Sequence, residues 1–229
     1  MKKAAVLLFC GILMAGVLYA QEAPVEKVTG GEDLVKEKGA FAENWVRPDA
    51  DISKYSKLYM WESVFQFRKG GATTAGTTIQ MMRGDSSGPY EVTEESQEKF
   101  KQIVSDAILK ELGRSKLFEV TDTVSEDTLL VRAGVLDITS YVPPNLRADR
   151  IHLASVGEGT IFFELIDAET GVIQARVAER RSIQPDVRMN QVNAAPTNSA
   201  TVWGDVERWA RDEAQTLRKA LEKAKKKAE

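Results

Sequence analysis

Cysteine and histidine are almost missing from these 229 residues: there is one of each, Cys10 and His152. Cys10 sits in the middle of an apolar run after Leu7-Leu8-Phe9, away from the end of the run where a lipid-attachment cysteine belongs. The rest of the chain has no thiol, which excludes a disulfide, a thiolate metal site and a cysteine nucleophile. A zinc centre of several imidazoles is excluded as well. A serine triad would have to use His152, and no G-x-S-x-G elbow presents its serine. Neither a Walker loop nor the glycine fingerprint of a dinucleotide fold is present, so nucleotide binding has no support. Excess positive charge is also lacking. The net charge is −3, which argues against nucleic acid as a partner. No catalytic, cofactor-binding or metal-ligating residue is therefore assigned, no cofactor is expected, and the chain is read as a non-enzyme.

The N-terminus supplies a compartment. Lys2 and Lys3 precede the apolar stretch Ala4 to Leu18, and Leu18-Tyr19-Ala20 leads into the polar Gln21-Glu22-Ala23-Pro24. This is the layout of a secretory signal, with cleavage expected after Ala20. An uncleaved anchor is the alternative, but a run of roughly 17 residues is at the lower limit for a bilayer span. The expected product is a periplasmic protein with no stable membrane anchor and no lipid. Residues 21–40 are charged and Gly-dotted and read as a flexible tether. Residues 41–225 have the length of a single domain.

Within that domain Lys57 to Phe67 reads as a strand, with Tyr59, Trp61, Ser63, Phe65 and Phe67 on one face. Residues 68–90, rich in Gly, Thr and Ser, read as a long loop. Its Arg83-Gly84-Asp85 tripeptide is best taken as a solvated turn. Thr93 offers an N-cap to a helix whose Phe100, Ile103, Val104, Ala107, Ile108 and Leu112 share one stripe before Gly113 stops it. A short strand at 117–121, a longer one at 129–142 and a hairpin of 159–167 with 172–181 follow. Trp203 to Lys225 is a second helix, striped by Val206, Ala210, Ala214, Leu217, Leu221 and Ala224. The lysines that end it, Lys223 to Lys227, suit a solvated helix C-terminus. The expected fold is α+β: a mostly antiparallel sheet of about five strands, with both long amphipathic helices on one face.

Three residues stand out as functional candidates. Glu62 and Glu164 are carboxylates inside apolar strand patterns, and Trp61 adjoins Glu62. A buried carboxylate can work as an acid or base. The preferred reading is structural, with Arg132 and Arg176 in neighbouring strands as counter-ions. Pairing Asp167 with Val172 would put Phe162, Glu164 and Ile166 on one face with Ile173, Ala175 and Val177. Ser96 and Lys99 have S-x-x-K spacing on a helix start, but the K-T-G of penicillin-binding enzymes is absent.

Two C-terminal segments carry a resemblance. Val156-Gly157-Glu158-Gly159 leads into Phe163-Glu164-Leu165-Ile166-Asp167-Ala168-Glu169-Thr170-Gly171, and Thr201-Val202-Trp203-Gly204-Asp205-Val206-Glu207 is followed by Trp209-Ala210. With Val46-Arg47-Pro48-Asp49-Ala50-Asp51 near the front, the chain is similar to the bacterial domain of unknown function family 3313. The resemblance implies an envelope protein, in a family with many predicted lipoproteins, and carries over no catalytic residue. The leading expectation is a non-catalytic accessory or interaction domain of the periplasm with a protein partner in the envelope. A small-ligand binding protein, with its pocket near Trp61, Glu62 and the 68–90 loop, is the alternative. A hydrolase using Ser96 and Lys99 or a buried carboxylate comes third.

Overall fold

The computed structural model describes residues 27–69, 89–143, 155–185 and 199–228. The signal, Cys10, the Arg83-Gly84-Asp85 tripeptide and His152 lie outside the described residues. In chain order the elements are β1 (Val35–Lys36), β2 (Glu43–Val46), β3 (Lys57–Phe67), α1 (Glu94–Leu112), β4 (Glu119–Thr121), β5 (Thr128–Ser140), β6 (Gly157–Asp167), β7 (Ile173–Ile183) and α2 (Ser199–Ala228), with single 3-10 turns at Gly31–Asp33 and Ile52–Lys54.

The fold is α+β, with one sheet in the order β1-β2-β7-β6-β5-β3-β4. Two points differ from the sequence expectation. The sheet has seven strands, because two short strands precede Lys57: β1, in the segment expected to be a tether, pairs with β2, and β2 pairs with β7. These strands are too short to show a period in the sequence. The sheet is also mixed. β3 runs parallel to both β4 and β5, while β5-β6-β7-β2-β1 are antiparallel. The cause is α1, which carries the chain from β3 back to the same end of the sheet, as a parallel neighbour requires.

Both helices form as their sequence signals direct. The Thr93 hydroxyl accepts from Ser96 N at 3.3 Å, and Gly113 follows the last turn of α1. Phe100, Val104, Ala107, Ile108 and Leu112 of α1 and Val206, Trp209, Ala210, Ala214, Leu217 and Leu221 of α2 bury one stripe each. They meet a single sheet face built from Leu58, Leu129, Val131, Val135, Ile161, Phe163 and Val177. Each such large side chain contributes about 2 kcal/mol through burial. The two helices are also joined by charge. Glu111, buried on α1, accepts from Arg218 of α2 at 3.1 Å and from Arg114 at 2.6 Å. The C-terminal lysines are not all in solvent: Lys225 donates to the Tyr55 carbonyl at 2.5 Å and lies 4.9 Å from the centre of the Phe118 ring.

The β6–β7 turn is held by a buried carboxylate. Asp167, buried, accepts from Lys54 at 2.7 Å, from the Tyr55 hydroxyl at 2.6 Å, and from the Thr170 backbone and side chain at 2.8 and 3.0 Å. Burial opposes its charge, but the Lys54, Tyr55 and Thr170 hydrogen bonds prevail and hold the Asp167 carboxyl well below the usual carboxylate range. Burial, with the same carboxylate adding to it, pushes the Tyr55 hydroxyl far above its ordinary value.

Candidate functional site

The sheet face away from the helices carries the candidate residues. Its lower part is a small apolar cluster of Leu34, Tyr59, Leu130, Ile166, Ala168 and Ile173, with Val28 and Trp61 packed on it. Strict alternation would place Phe65 and Phe67 on this face with Tyr59 and Trp61, as the sequence reading expects. A bulge intervenes. Met60 is in register with Val131 and Ser63 with Ala133, so β3 carries one extra residue. An extra residue reverses the side-chain parity of everything beyond it. Phe65 and Phe67 therefore turn to the helices and meet Phe100 edge-on at 6.1 and 5.6 Å. Glu62, expected inside, lies at the bulge with its side chain 53% exposed.

A second bulge corrects the hairpin register. Ile166 pairs with Ile173, but Leu165 pairs with Ala175 because β7 holds Gln174 in excess. Ala175 and Val177 thus face the helices, and the neighbour of Glu164 on its own face is Arg176. Arg132, Glu164 and Arg176 come into one cross-strand row. Glu164, 6% exposed, accepts from Arg132 Nε at 2.5 Å through one oxygen and from Arg176 Nε at 2.6 Å through the other. Each guanidinium adds a second contact to the same oxygen. The counter-ions of Glu164 are Arg132 and Arg176, the two arginines expected from the sequence.

The row continues at both ends. The Trp61 ring lies 5.8 Å from the Arg132 guanidinium, a cation–π distance. On the other side Trp45 of β2 is in register with Arg176, 37% exposed, with Lys36 5.6 Å from its ring centre. The order across five strands is Trp61, Arg132, Glu164, Arg176, Trp45. Next along the face, Phe162 covers Gly134, where an added Cβ would come within 2.6 Å of the ring. Beyond that Asp137, at φ 55, receives a two-pronged contact from Arg68 at 2.7 and 2.8 Å and a third bond from Arg180 at 2.5 Å. Arg180 and Arg68 hold the Asp137 carboxyl below its ordinary value.

Trp61, Glu62 and Glu164 thus share one neighbourhood, and the 68–90 loop expected to complete a pocket there lies mostly outside the described residues. A cavity of about 410 Å³ lies elsewhere, between the N-terminal ends of α1 and α2 and the end of β5. Phe67, Phe100, Ile138, Val202 and Val206 form its apolar wall. Ser96 and Lys99 line it too, yet they engage other groups: the Ser96 hydroxyl meets Thr93 Oγ1 at 3.0 Å, and the Lys99 ammonium lies 4.9 Å from the centre of the Trp203 ring. Among the described residues no group of three His, Cys, Asp or Glu side chains is arranged to hold a metal ion. No helix among them is long and apolar enough to cross a membrane. Sequence reasoning missed Trp45 as a partner of the row and Asp167 as a hub. The Asp-x-x-Thr-Gly turn signalled the second; nothing in a four-residue strand signalled the first.

No family model and no curated protein matches the chain. Among solved structures it is similar to a DUF330 protein from Xanthomonas campestris, at 10% identity, 81% of this chain, 90% of that one and TM-score 0.41. It is also similar to a DUF4136 protein from Bacteroides thetaiotaomicron, at 8% identity, 82% and 97% coverage and TM-score 0.37. A PelC dodecamer from Paraburkholderia phytofirmans aligns at 8% identity, 76% and 97% coverage and TM-score 0.33. Likenesses this distant assign no activity and no partner.

Proposed function

We propose that this chain is a non-catalytic interaction domain of the periplasm, exported by its leader, a member of the family it resembles, and docked to a protein partner through the open face of its sheet. The observation that carries this reading is the row Trp61, Arg132, Glu164, Arg176, Trp45. Trp and Arg dominate the energetics of protein interfaces, because both offer large flat contact area together with a polar handle. Here Glu164 fixes both guanidinium groups before any partner arrives, so little side-chain entropy is lost on docking. The same clamp occupies both carboxylate oxygens of Glu164, which leaves that residue ill-suited to general acid or base work.

The test is site-specific photocrosslinking in cells. A photoreactive residue at Ala178, beside the row, should give one discrete crosslinked species in the periplasmic fraction. Combined Trp45→Ala and Trp61→Ala substitutions should remove it. A control probe at Lys110 on α1 should give none. Identical products from both positions, or a product indifferent to the tryptophans, would overturn the reading.

The apolar wall of the 410 Å³ cavity supports a second reading, a small apolar ligand held beside Trp203. A thermal-shift screen against envelope metabolites tests it. A rise in melting temperature abolished by Val206→Trp, which fills the space, supports the ligand; a flat response across the library removes it.

A further inference from the structure

A site independent of the open face lies on the helix side of β7. β2 pairs with β7 only from Ala175 to Ala178. The following residues, Glu179 to Ile183, pair with β6 on one side and with no strand on the other among the described residues. Beside this bare edge, α2 and the end of β7 enclose a cleft of about 620 Å³, lined by Arg181, Ser182, Arg208, Trp209 and Glu213 among others. Two polar atoms in its wall lack a hydrogen-bond partner among the described residues: the indole Nε1 of Trp209, 7% exposed, and Oε2 of Glu213, 1% exposed. One is a donor and the other an acceptor, a single helical turn apart on α2.

The guanidinium groups of the cleft already have carboxylate partners. Arg181 contacts Glu179 at 2.7 Å and Glu213 at 3.1 Å, Arg208 contacts Asp205 at 2.7 Å, and Arg180 contacts Asp137 and Glu158 at 2.5 and 2.6 Å. What the cleft still offers is alternating donors and acceptors along a bare strand edge. An anion does not match that set, and an extended main chain does, since its N–H and C=O groups alternate along both sides. A second copy presenting its own β7 edge is disfavoured, because in a two-fold register centred between them Arg180 would face Arg181 of the copy. We infer that this cleft receives an extended peptide from another protein, added as a strand to Glu179–Ile183 and bonded to Trp209 Nε1 and Glu213 Oε2.

The experiment selects a phage-displayed library of random heptapeptides on the purified full chain and synthesises the strongest binder. Hydrogen exchange should slow at the alternate amides of 179–183 that point away from β6 when this peptide is added. N-methylation at alternate peptide positions should abolish binding in one parity and spare it in the other, the signature of strand pairing. Trp209→Phe keeps an aromatic side chain but removes the donor along with part of the indole's volume; affinity should fall about tenfold, the effect of one lost buried hydrogen bond. Binders that protect other residues, or that tolerate N-methylation in both parities, overturn the inference. So does protection, without peptide, of the 179–183 amides that point away from β6: if it rises with protein concentration, a second copy occupies the edge, and if it does not, the chain covers its own edge.

Discussion

Glu164 and Glu213 are both buried carboxylates, one on each side of the sheet, and they are treated oppositely. Glu164 has four guanidinium contacts shared between its two oxygens. Glu213 has one, from Arg181 at 3.1 Å, and its second oxygen meets no partner among the described residues. Burial pushes the Glu213 carboxyl up, with Glu179 and Asp212 adding to the effect and Arg181 opposing it. Burial alone therefore does not mark a working carboxylate. A satisfied one is a rivet that positions its neighbours, whereas a half-satisfied one retains free energy for a ligand or a proton.

The comparison is most easily broken at the rivet. Glu164→Ala leaves Arg132 and Arg176 facing each other without a counter-charge. Both are partly exposed, so water relieves some of the cost, and a loss of about 3 kcal/mol in urea unfolding is expected. The Trp61 and Trp45 ends of the row should lose order with it, read as a red shift of tryptophan emission. An unchanged midpoint would mean that the clamp does not hold the face.

Asp167 offers a second satisfied carboxylate, with a pH signature. Asp167→Asn keeps the shape but weakens the bonds from Lys54 and Tyr55, for an expected loss of about 2 kcal/mol at neutral pH. Because its folded carboxyl lies well below the ordinary value near 3.9, its contribution is present above about pH 4 and is lost as the pH falls below that toward the folded value. The stability difference between the parent chain and Asp167→Asn should shrink on acidification over that range. A difference independent of pH would assign the cost to packing.

What the sequence disclosed follows the same division. The long helices were legible because their stripes repeat over 19 and 30 residues, with Thr93 and Gly113 at the ends of the first. The Glu164 clamp was legible because a carboxylate in an apolar strand demands cations nearby, and Arg132 and Arg176 were at hand. The faces of Phe65, Phe67, Ala175 and Val177 were not, because each depends on a single bulge residue that leaves composition and alternation unmarked. β1 and β2 were hidden by their length, since two and four residues are stabilised by the neighbouring strand and not by their own pattern. The half-satisfied Glu213 was also hidden. On a helix wheel it borders the apolar stripe like any charged residue, and only the packing of α2 beside β7 shows that one oxygen lacks a partner.

Glu213 should give the smallest and most discriminating effect. Its folded carboxyl is raised above the unfolded value near 4.3, so the folded chain holds the proton more tightly. Stability then falls as the pH rises from about 4 through the folded value, and the full penalty persists above it. Glu213→Gln removes the titration while keeping an acceptor toward Arg181. The variant should match the parent near pH 4 and exceed it by about 1 kcal/mol at neutral pH, the reverse of the Asp167 result. Parallel urea midpoints carried from neutral pH down to well below pH 4 separate the two cases. If Glu213→Gln instead destabilises at neutral pH, its second oxygen is already held by the chain in solution, and the contrast with Glu164 disappears together with the donor–acceptor pair that the strand-addition cleft requires.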